Sequence, residues 1–211
     1  MTQNTIVGYG GHAYMVCDIM KSNGQKILGY FEQEKKTKNP FHLTYLGRET
    51  DAGALDILRN NHWFVAFDNN HFRKFITEKM LQMDIGTPRS IVHKSTLIPA
   101  GLELGFGSMI APGVIINTLC EMGNSVIINT HATIGYECTI GDYAHIATGA
   151  VLANNVRIGE RSFVGANAVV KEGVIIGDEV RIGAGSVIVR DVESGCTVVG
   201  NPARIIDKKN K

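Results

Sequence analysis

Hydrophobic residues in the second half of the chain recur at every sixth position. Each sixth residue from Leu104 to Ile188 is Leu, Ile, Val or Met, and the residues four places later, from Ser108 to Val192, are all Ser, Ala, Cys or Val. A period of six matches neither an α-helix nor an alternating strand. It predicts a parallel β-helix with three flat sides per turn, large aliphatic side chains inside and small residues at the corners. Because Ile91 extends the pattern backwards, the β-helix is predicted to begin near Ser90.

The first part of the chain carries a different pattern, in which strand-like and helix-like segments alternate. The predicted strands are Thr5–Val7, Lys26–Phe31 and His62–Phe67, and the predicted helices are Tyr14–Asn23 and Asn70–Met83. This order predicts an α/β Rossmann-like domain over residues 1–86, followed by the all-β solenoid over residues 87–211. The solenoid is expected to close with an apolar segment at 198–205 and a polar tail from Asp207 to Lys211.

A glycine-rich loop, Gly8–Ala13, joins the first strand to the first helix. It fits the pattern G-x-G-x-x-A, and Glu32 follows about twenty residues later, where an acidic residue binds a ribose in dinucleotide folds. The unit has too few strands for a full NAD site. Amides at a helix N-terminus still suit the diphosphate of a nucleotide-linked substrate, and a plain tight turn is the competing interpretation.

Composition and charge narrow the function. The 24 glycines and 7% aromatic residues suit a thin, regular core, and 21 basic against 20 acidic residues argue against nucleic acid or an acidic membrane as partner. No apolar run reaches the length of a membrane span and the first residues do not resemble a signal peptide, so a cytoplasmic location is expected. The four cysteines lack zinc-type spacing, so no metal site is expected.

Four segments carry a resemblance to a known family: Gly8–His12, Asp68–Lys74, Asn129–Ala132 and Gly200–Arg204. The hexads resemble the left-handed β-helix acyltransferases, and the four segments are similar to the sialic-acid O-acetyltransferase/bacillosamine N-acetyltransferase group, whose members bind nucleotide-linked amino sugars. The resemblance implies a homotrimer, with acetyl-CoA between neighbouring β-helices and the nucleotide sugar on the N-terminal domain.

The resemblance also implies roles for individual residues. The residues expected near the nucleotide sugar are Gly8, Tyr9, Gly10, Gly11, His12, Glu32, Asn69, Asn70 and Arg73. Those expected to line the acetyl-transfer site are Asn129, Glu137 and His145. The backbone N–H near Asn154 would point at the thioester oxygen, and Lys171 and Arg190 would meet the CoA phosphates. For His131, His145, Glu137, Lys171 and Arg190, a solvated side chain is the competing interpretation. His42, His62, His71 and His93 are expected to be structural.

One position departs from the family pattern. Tyr136 stands in the hexad where the family carries the histidine that acts as general base, and a phenol is a poor base at neutral pH. An amine can react by alignment and oxyanion stabilisation alone, whereas a hydroxyl needs a base.

The sequence therefore predicts an acetyl-CoA-dependent N-acetyltransferase in surface-polysaccharide assembly, for lipopolysaccharide O-antigen or capsule. Its acceptor would be a nucleotide-linked 4-amino-4,6-dideoxy sugar, with dTDP favoured over UDP or GDP, attacking without a dedicated histidine base. The alternatives are a sialic acid O-acetyltransferase and a catalytically silent module that binds nucleotide sugar or CoA.

Overall fold

The computed structural model describes residues 2–208. The N-terminal domain is a parallel four-stranded sheet of order β3-β2-β1-β4 with three helices. Its elements are β1 Asn4–Val7, α1 Gly11–Ser22, β2 Ile27–Phe31, β3 Thr44–Tyr45, α2 Ala54–Asn60, β4 His62–Val65 and α3 Asn70–Leu81. The strand order reverses direction at β1, which leaves a crevice at the carboxyl ends of β1 and β4.

The predicted elements of this domain are present, with two additions. Helix α1 begins three residues earlier than predicted, because Gly10 caps it without a side-chain hydrogen bond and so gives no polar cap signal. The short helix α2 and the two-residue strand β3 were not predicted. Helix α2 spans only seven residues and buries two of them, Ala54 and Leu58, which is too short a pattern to recognise.

The rest of the chain is a left-handed parallel β-helix, as predicted. Its first fifteen strands have two residues each: β5 Ile91–Val92, β6 Met109–Ile110, β7 Ile115–Ile116, β8 Glu121–Met122, β9 Ile127–Ile128, β10 Thr133–Ile134, β11 Thr139–Ile140, β12 His145–Ile146, β13 Val151–Leu152, β14 Arg157–Ile158, β15 Phe163–Val164, β16 Val169–Val170, β17 Ile175–Ile176, β18 Arg181–Ile182 and β19 Val187–Ile188. From β6 onward the second residue of each pair is buried, and so are corner residues such as Ala132 and Ala150. The hexad prediction of inward aliphatic side chains and small corners is confirmed.

The β-helix has three faces, which we name by their surroundings. The docked face (β5, β6, β9, β12, β15, β18 and β20) lies under the N-terminal domain, the open face comprises β7, β10, β13, β16 and β19, and the charged face comprises β8, β11, β14 and β17. Two corners flank the open face. The Asn129 edge, with residues 111–113, 129–131 and 147–149, joins it to the docked face. The Tyr136 edge, with residues 135–137, 153–155, 171–173 and 189–191, joins it to the charged face.

The last two strands, β20 Cys196–Gly200 and β21 Ala203–Lys208, form an antiparallel hairpin at the end of the docked face. Asp207 and Lys208, the first residues of the predicted polar tail, are exposed and belong to β21, where they pair with Thr197 and Cys196. Positions 209–211 lie outside the described residues. The division after residue 86 stays a prediction.

Candidate functional site

The glycine loop lies at the crevice where the N-terminal sheet reverses its order. Gly8 has φ +91°, and a Cβ on it would lie 2.5 Å from the Phe67 ring, so a larger residue does not fit there. Gly10 and Gly11 are exposed, and a Cβ on either would meet nothing within 4 Å. Helix α1 therefore presents its first amides to an open crevice, an arrangement suited to a phosphate or diphosphate.

Tyr9 and Glu32 support this loop from below. The Tyr9 ring is buried and stacks on Tyr30 at 4.1 Å, and burial raises its pKa to about 12. The Tyr9 N–H donates to Glu32 Oε2 at 3.1 Å, and the same carboxylate forms an ion pair with Lys36 at 3.4 Å. The backbone around Tyr9 and Glu32 thus shapes the crevice, and Glu32 lines a pocket of about 60 Å³ there.

Arg73 holds the two domains together. It is 1% exposed, and its guanidinium donates to the carbonyls of Phe67, Asp68, Ser125 and Tyr143 and to Asn70 Oδ1 at 2.7–3.1 Å. Burial is also the main reason why its pKa falls to about 9.

Asn70 has the same role. Its Nδ2 donates to the Arg161 and Ser162 carbonyls at 2.9 and 3.2 Å, and Oδ1 accepts from Arg73. The polar atoms of Arg73 and Asn70 thus join the two domains, and the substrate-binding role expected for both residues stays a prediction. Asn69 caps α3 by accepting from the Phe72 N–H at 3.0 Å.

A cleft of about 200 Å³ lies between the N-terminal domain and the docked face. It is lined by Asp68, Asn69, Asn70, His71, His145, Arg161, Phe163, Glu179 and Arg181. Four of these residues were not predicted from the sequence, because they are ordinary outward positions of hexads that become a wall only when the N-terminal domain docks: Arg161, Phe163, Glu179 and Arg181.

Two histidines, one from each domain, meet at this boundary. His145 was expected on the outside of the β-helix, and it is 6% exposed because the N-terminal domain covers it. Burial and the Arg73 charge lower the pKa of His145 to about 3 and that of His12 to about 4, so both imidazoles are neutral at pH 7. His12 Nε2 and His145 Nδ1 are buried and have no hydrogen-bond partner within the described chain.

Asn129 fixes the orientation of His145. Asn129 Oδ1 accepts from the Thr130 N–H at 2.7 Å, which leaves its Nδ2 directed at His145 Nε2, 3.5 Å away. Nε2 of a neutral imidazole in that position is the acceptor and Nδ1 carries the proton. The structure therefore brings Asn129 and His145 together, as the sequence analysis expected.

Tyr136 and Glu137 lie elsewhere, on the Tyr136 edge. Tyr136 is 44% exposed, and its N–H donates to Asn154 Oδ1 one coil later at 3.3 Å. Within residues 2–208 the Asn154 N–H itself has no acceptor, so it can donate to a ligand oxygen. Lys171 and Arg190 are exposed further along the same edge.

The predicted acetyl-transfer residues thus fall into two groups on opposite sides of the open face. Asn129 and His145 form one group, and Tyr136, Glu137 and Asn154 form the other. A single copy of the chain does not bring the two groups into one site.

The described chain holds no group of three or more His, Cys, Asp or Glu side chains that could bind a metal ion. Its four cysteines are buried thiols. Every helix within residues 2–208 is too short or too polar to cross a bilayer.

Comparison with known proteins matches both parts of the chain. The family described as the PglD N-terminal domain matches residues 5–80, and the bacterial transferase hexapeptide family (six repeats) matches residues 155–190. No curated protein sequence matches the chain.

Solved structures match the chain over nearly its whole length. A His-to-Asn variant of perosamine N-acetyltransferase from Caulobacter crescentus, in complex with CoA and GDP-perosamine, is 30% identical with a TM-score of 0.91, covering 99% of this chain and 98% of that one. The acetyltransferase domain of PglB from Neisseria gonorrhoeae, in complex with acetyl coenzyme A, is 27% identical with a TM-score of 0.89, covering 97% and 98%. WeeI from Acinetobacter baumannii, 23% identical with a TM-score of 0.84 over 98% and 100%, shares the fold.

Proposed function

Because this chain belongs to the hexapeptide acyltransferase family and is an acetyl-CoA-dependent sugar N-acetyltransferase, we propose that it acetylates the amine of a nucleotide-linked 4-amino-4,6-dideoxy sugar. The observation that carries the proposal is the match over 99% of the chain, at 30% identity, to an N-acetyltransferase in complex with CoA and GDP-perosamine. The open N-terminus of α1 supports it independently, since it suits the diphosphate of such a substrate.

The surface of the β-helix supports a homotrimer. The outward residues of the open face form one uninterrupted column of aliphatic residues and threonine: Leu97, Ile115, Thr133, Val151, Val169 and Val187. The column of the charged face instead alternates the charged Glu121 and Arg157 with Thr139 and Ile175. The docked face is buried beneath the chain's own N-terminal domain from β6 to β12. An exposed aliphatic column on one face marks an interaction surface, and a second copy of this chain is its proposed occupant.

A three-fold arrangement of this kind also completes the site. With the open faces turned toward a common axis, the Tyr136 edge of one copy lies beside the Asn129 edge of the next. Asn129 and His145 of one copy then meet Tyr136, Glu137 and Asn154 of its neighbour, and acetyl-CoA lies between the two β-helices. The two half-sites of the single chain are thereby explained.

The proposed reaction is a direct attack of the sugar amine on the thioester carbonyl. The amides at Gly10–His12 hold the diphosphate, and the Asn154 N–H donates to the oxyanion of the tetrahedral intermediate. Lys171 and Arg190 meet the phosphates of CoA. The C–N bond forms, the C–S bond breaks, and CoA leaves as the thiol. The attack without a dedicated histidine base stays a prediction from the sequence.

The nucleotide is the finer part of the proposal. The sequence-based preference for dTDP stays a prediction, and the complex of the 30% identical enzyme with GDP-perosamine favours GDP as a second candidate. The proposed setting is surface-polysaccharide assembly in the cytoplasm. The sialic acid O-acetyltransferase and the silent binding module remain the competing functions.

The test is release of free thiol from acetyl-CoA with a panel of dTDP-, UDP- and GDP-linked 4-amino sugars and with free sialic acid. The proposal expects thiol release with at least one amino-sugar nucleotide and an N-acetylated product by mass spectrometry. Thiol release with sialic acid alone identifies the O-acetyltransferase. Binding of a nucleotide sugar by calorimetry without thiol release identifies the silent module.

A further inference from the structure

His131 occupies an unusual place on the Asn129 edge. It is exposed, with φ +58°, and its imidazole lies over Gly113 one coil earlier, where a Cβ would come within 2.6 Å of His131 Nδ1 and Cε1. Gly149 holds the equivalent corner one coil later. Since glycines occupy the corners on both sides, the His131 ring is the one bulky side chain at these three corner positions of the edge.

Assembly places this ring opposite Tyr136, and the inference rests on the proposed trimer for this step. Copies related by an axis parallel to the β-helix keep equal heights along it. Successive coils are about 4.8 Å apart, so the offset of five positions from His131 to Tyr136 corresponds to a height difference of only about 1.3 Å. His131 of one copy therefore lies level with Tyr136 and Glu137 of its neighbour.

We infer that His131 of the neighbouring copy accepts the proton of the sugar amine, in place of the histidine missing at position 136. Imidazole is the side chain best suited to accept a proton near neutral pH. The residues at positions 131 and 136 complement each other. On one side of the groove between copies Tyr136 replaces the histidine of the family pattern, and on the other side His131 provides an imidazole.

Two other histidines lie close to this groove, and both are engaged. His93 Nδ1 lies 2.8 Å from Ser95 Oγ. His145 Nε2 faces the Asn129 amide, and its Nδ1 is buried against the N-terminal domain. His131 is exposed, and its imidazole makes no hydrogen bond among the described residues.

The proton balance of the step is simple. The amine nitrogen forms a bond to the thioester carbon and passes one proton to the His131 imidazole. The C–S bond breaks as the tetrahedral intermediate collapses, and the departing thiolate of CoA takes that proton back. No further reactant is needed.

The experiment compares His131→Asn with a matched control, His42→Asn. Both histidines are exposed and both have a left-handed backbone, at φ +58° and +53°, which asparagine tolerates. His131→Asn is expected to lower kcat by about 10²–10⁴-fold, with the KM for acetyl-CoA unchanged and the oligomer intact. His42→Asn is expected to retain the activity.

Two further readouts separate a base from a structural role. Tyr136→His in the His131→Asn background is expected to restore most of kcat, since it returns an imidazole to the groove. The kcat–pH profile is the second readout: the ascending limb of the wild-type profile is expected to be lost in His131→Asn, which a merely structural role would not cause. The titratable groups close to this edge are Asp18 and His93, which line the cleft beside Thr130, and Glu137 of the neighbouring copy.

Each outcome has a separate meaning. If wild type transfers acetyl and His131→Asn keeps its kcat and pH profile, the inference is overturned and the histidine-free attack predicted from the sequence holds. A rise of several hundred-fold in Tyr136→His alone overturns it as well, because a base would then have been missing. If wild type acetylates no sugar of the panel, the proposed function fails first.

Discussion

Asn129 Nδ2 lies 3.5 Å from His145 Nε2, with the amide oriented by the Thr130 N–H on its oxygen. The contact joins a corner of the β-helix to a strand that the N-terminal domain covers. Because an amide NH2 can only donate, the contact places the proton of the neutral His145 imidazole on Nδ1. His145 is thereby a fixed wall of the site, whereas the exposed His131 on the same edge remains accessible to substrate.

The two buried histidines should make the protein sensitive to acid. Their pKa values are lowered to about 4 for His12 and about 3 for His145, against about 6.5 in the unfolded chain. The unfolded state therefore binds more protons than the folded state below pH 6.5. The free energy of unfolding does not depend on these two histidines above that pH, and it decreases as the pH falls from 6.5 toward 3–4. The expected slope is up to about 2.7 kcal/mol per pH unit. Urea unfolding at pH 5 and 7, at one protein concentration, measures it.

Single substitutions show which histidines cause this pH dependence of the free energy of unfolding. His12→Gln and His145→Gln should each remove about half of it, and His71→Gln, an exposed residue on α3, should leave it unchanged. An identical pH dependence in wild type and both buried variants would contradict the assignment.

Removal of Arg73 should destabilise the protein strongly. Arg73→Leu leaves at least five buried or partly buried acceptors without their donors, so the free energy of unfolding should fall by about 3–5 kcal/mol. The control is its neighbour Lys74, whose ion pair with Glu160 at 2.6 Å is partly exposed. Lys74→Met should cost only about 0–1 kcal/mol. Equal losses in the two variants would show that Arg73 does not join the domains.

A lysine introduced on the open face should dissociate the trimer, whereas a lysine introduced on the charged face should not. Val169 and Ile175 are outward β-branched residues of the same coil, 38% and 47% exposed, on the open and the charged face respectively. Val169→Lys should shift the species in light scattering from three copies toward a single chain of 22.9 kDa, and Ile175→Lys should not. A trimer that survives Val169→Lys, or dissociates equally with Ile175→Lys, would place the interface elsewhere.

Tyr136 should be dispensable as a proton acceptor. Tyr136→Phe keeps the ring and removes the hydroxyl, and because the account assigns the proton to His131, kcat should remain within a few-fold of wild type. Steady-state thiol release at saturating acetyl-CoA measures this. A loss of about 10² or more, the contribution of a general acid or base, would instead assign the proton transfer to the phenol.

The fold could be predicted well because the repeat is short and can be read directly from the order of residues in the chain. A hexad specifies which side chain is buried by position alone, so Ile128, Ile134 and Ile140 could be assigned to the core directly. The short elements α2 and β3 carry no such pattern. The role of Arg73 also could not be predicted, because most of its acceptors are backbone carbonyls up to 70 positions away, and the backbone has no residue-specific signal.

The site was predicted only in part, because many of its contacts also join residues that are far apart in the sequence. The glycine loop follows from a local motif, and Asn129 and His145 were expected only from the resemblance to the family. The separation of Tyr136 from His145 depends on which face each corner borders, and the cleft at Arg161 and Arg181 exists only after the N-terminal domain has docked. The role of a residue that acts on a neighbouring copy, such as His131, can be inferred only from the arrangement of the copies in the assembly.

The most direct test of a site shared between two copies is the structure of the protein with CoA and the nucleotide sugar that turns over. The account predicts the sugar amine between the Tyr136 edge of one copy and the Asn129 edge of the next, with the His131 imidazole within hydrogen-bonding reach, at about 3 Å. An amine bound wholly within one copy, with His131 directed to solvent, would contradict it.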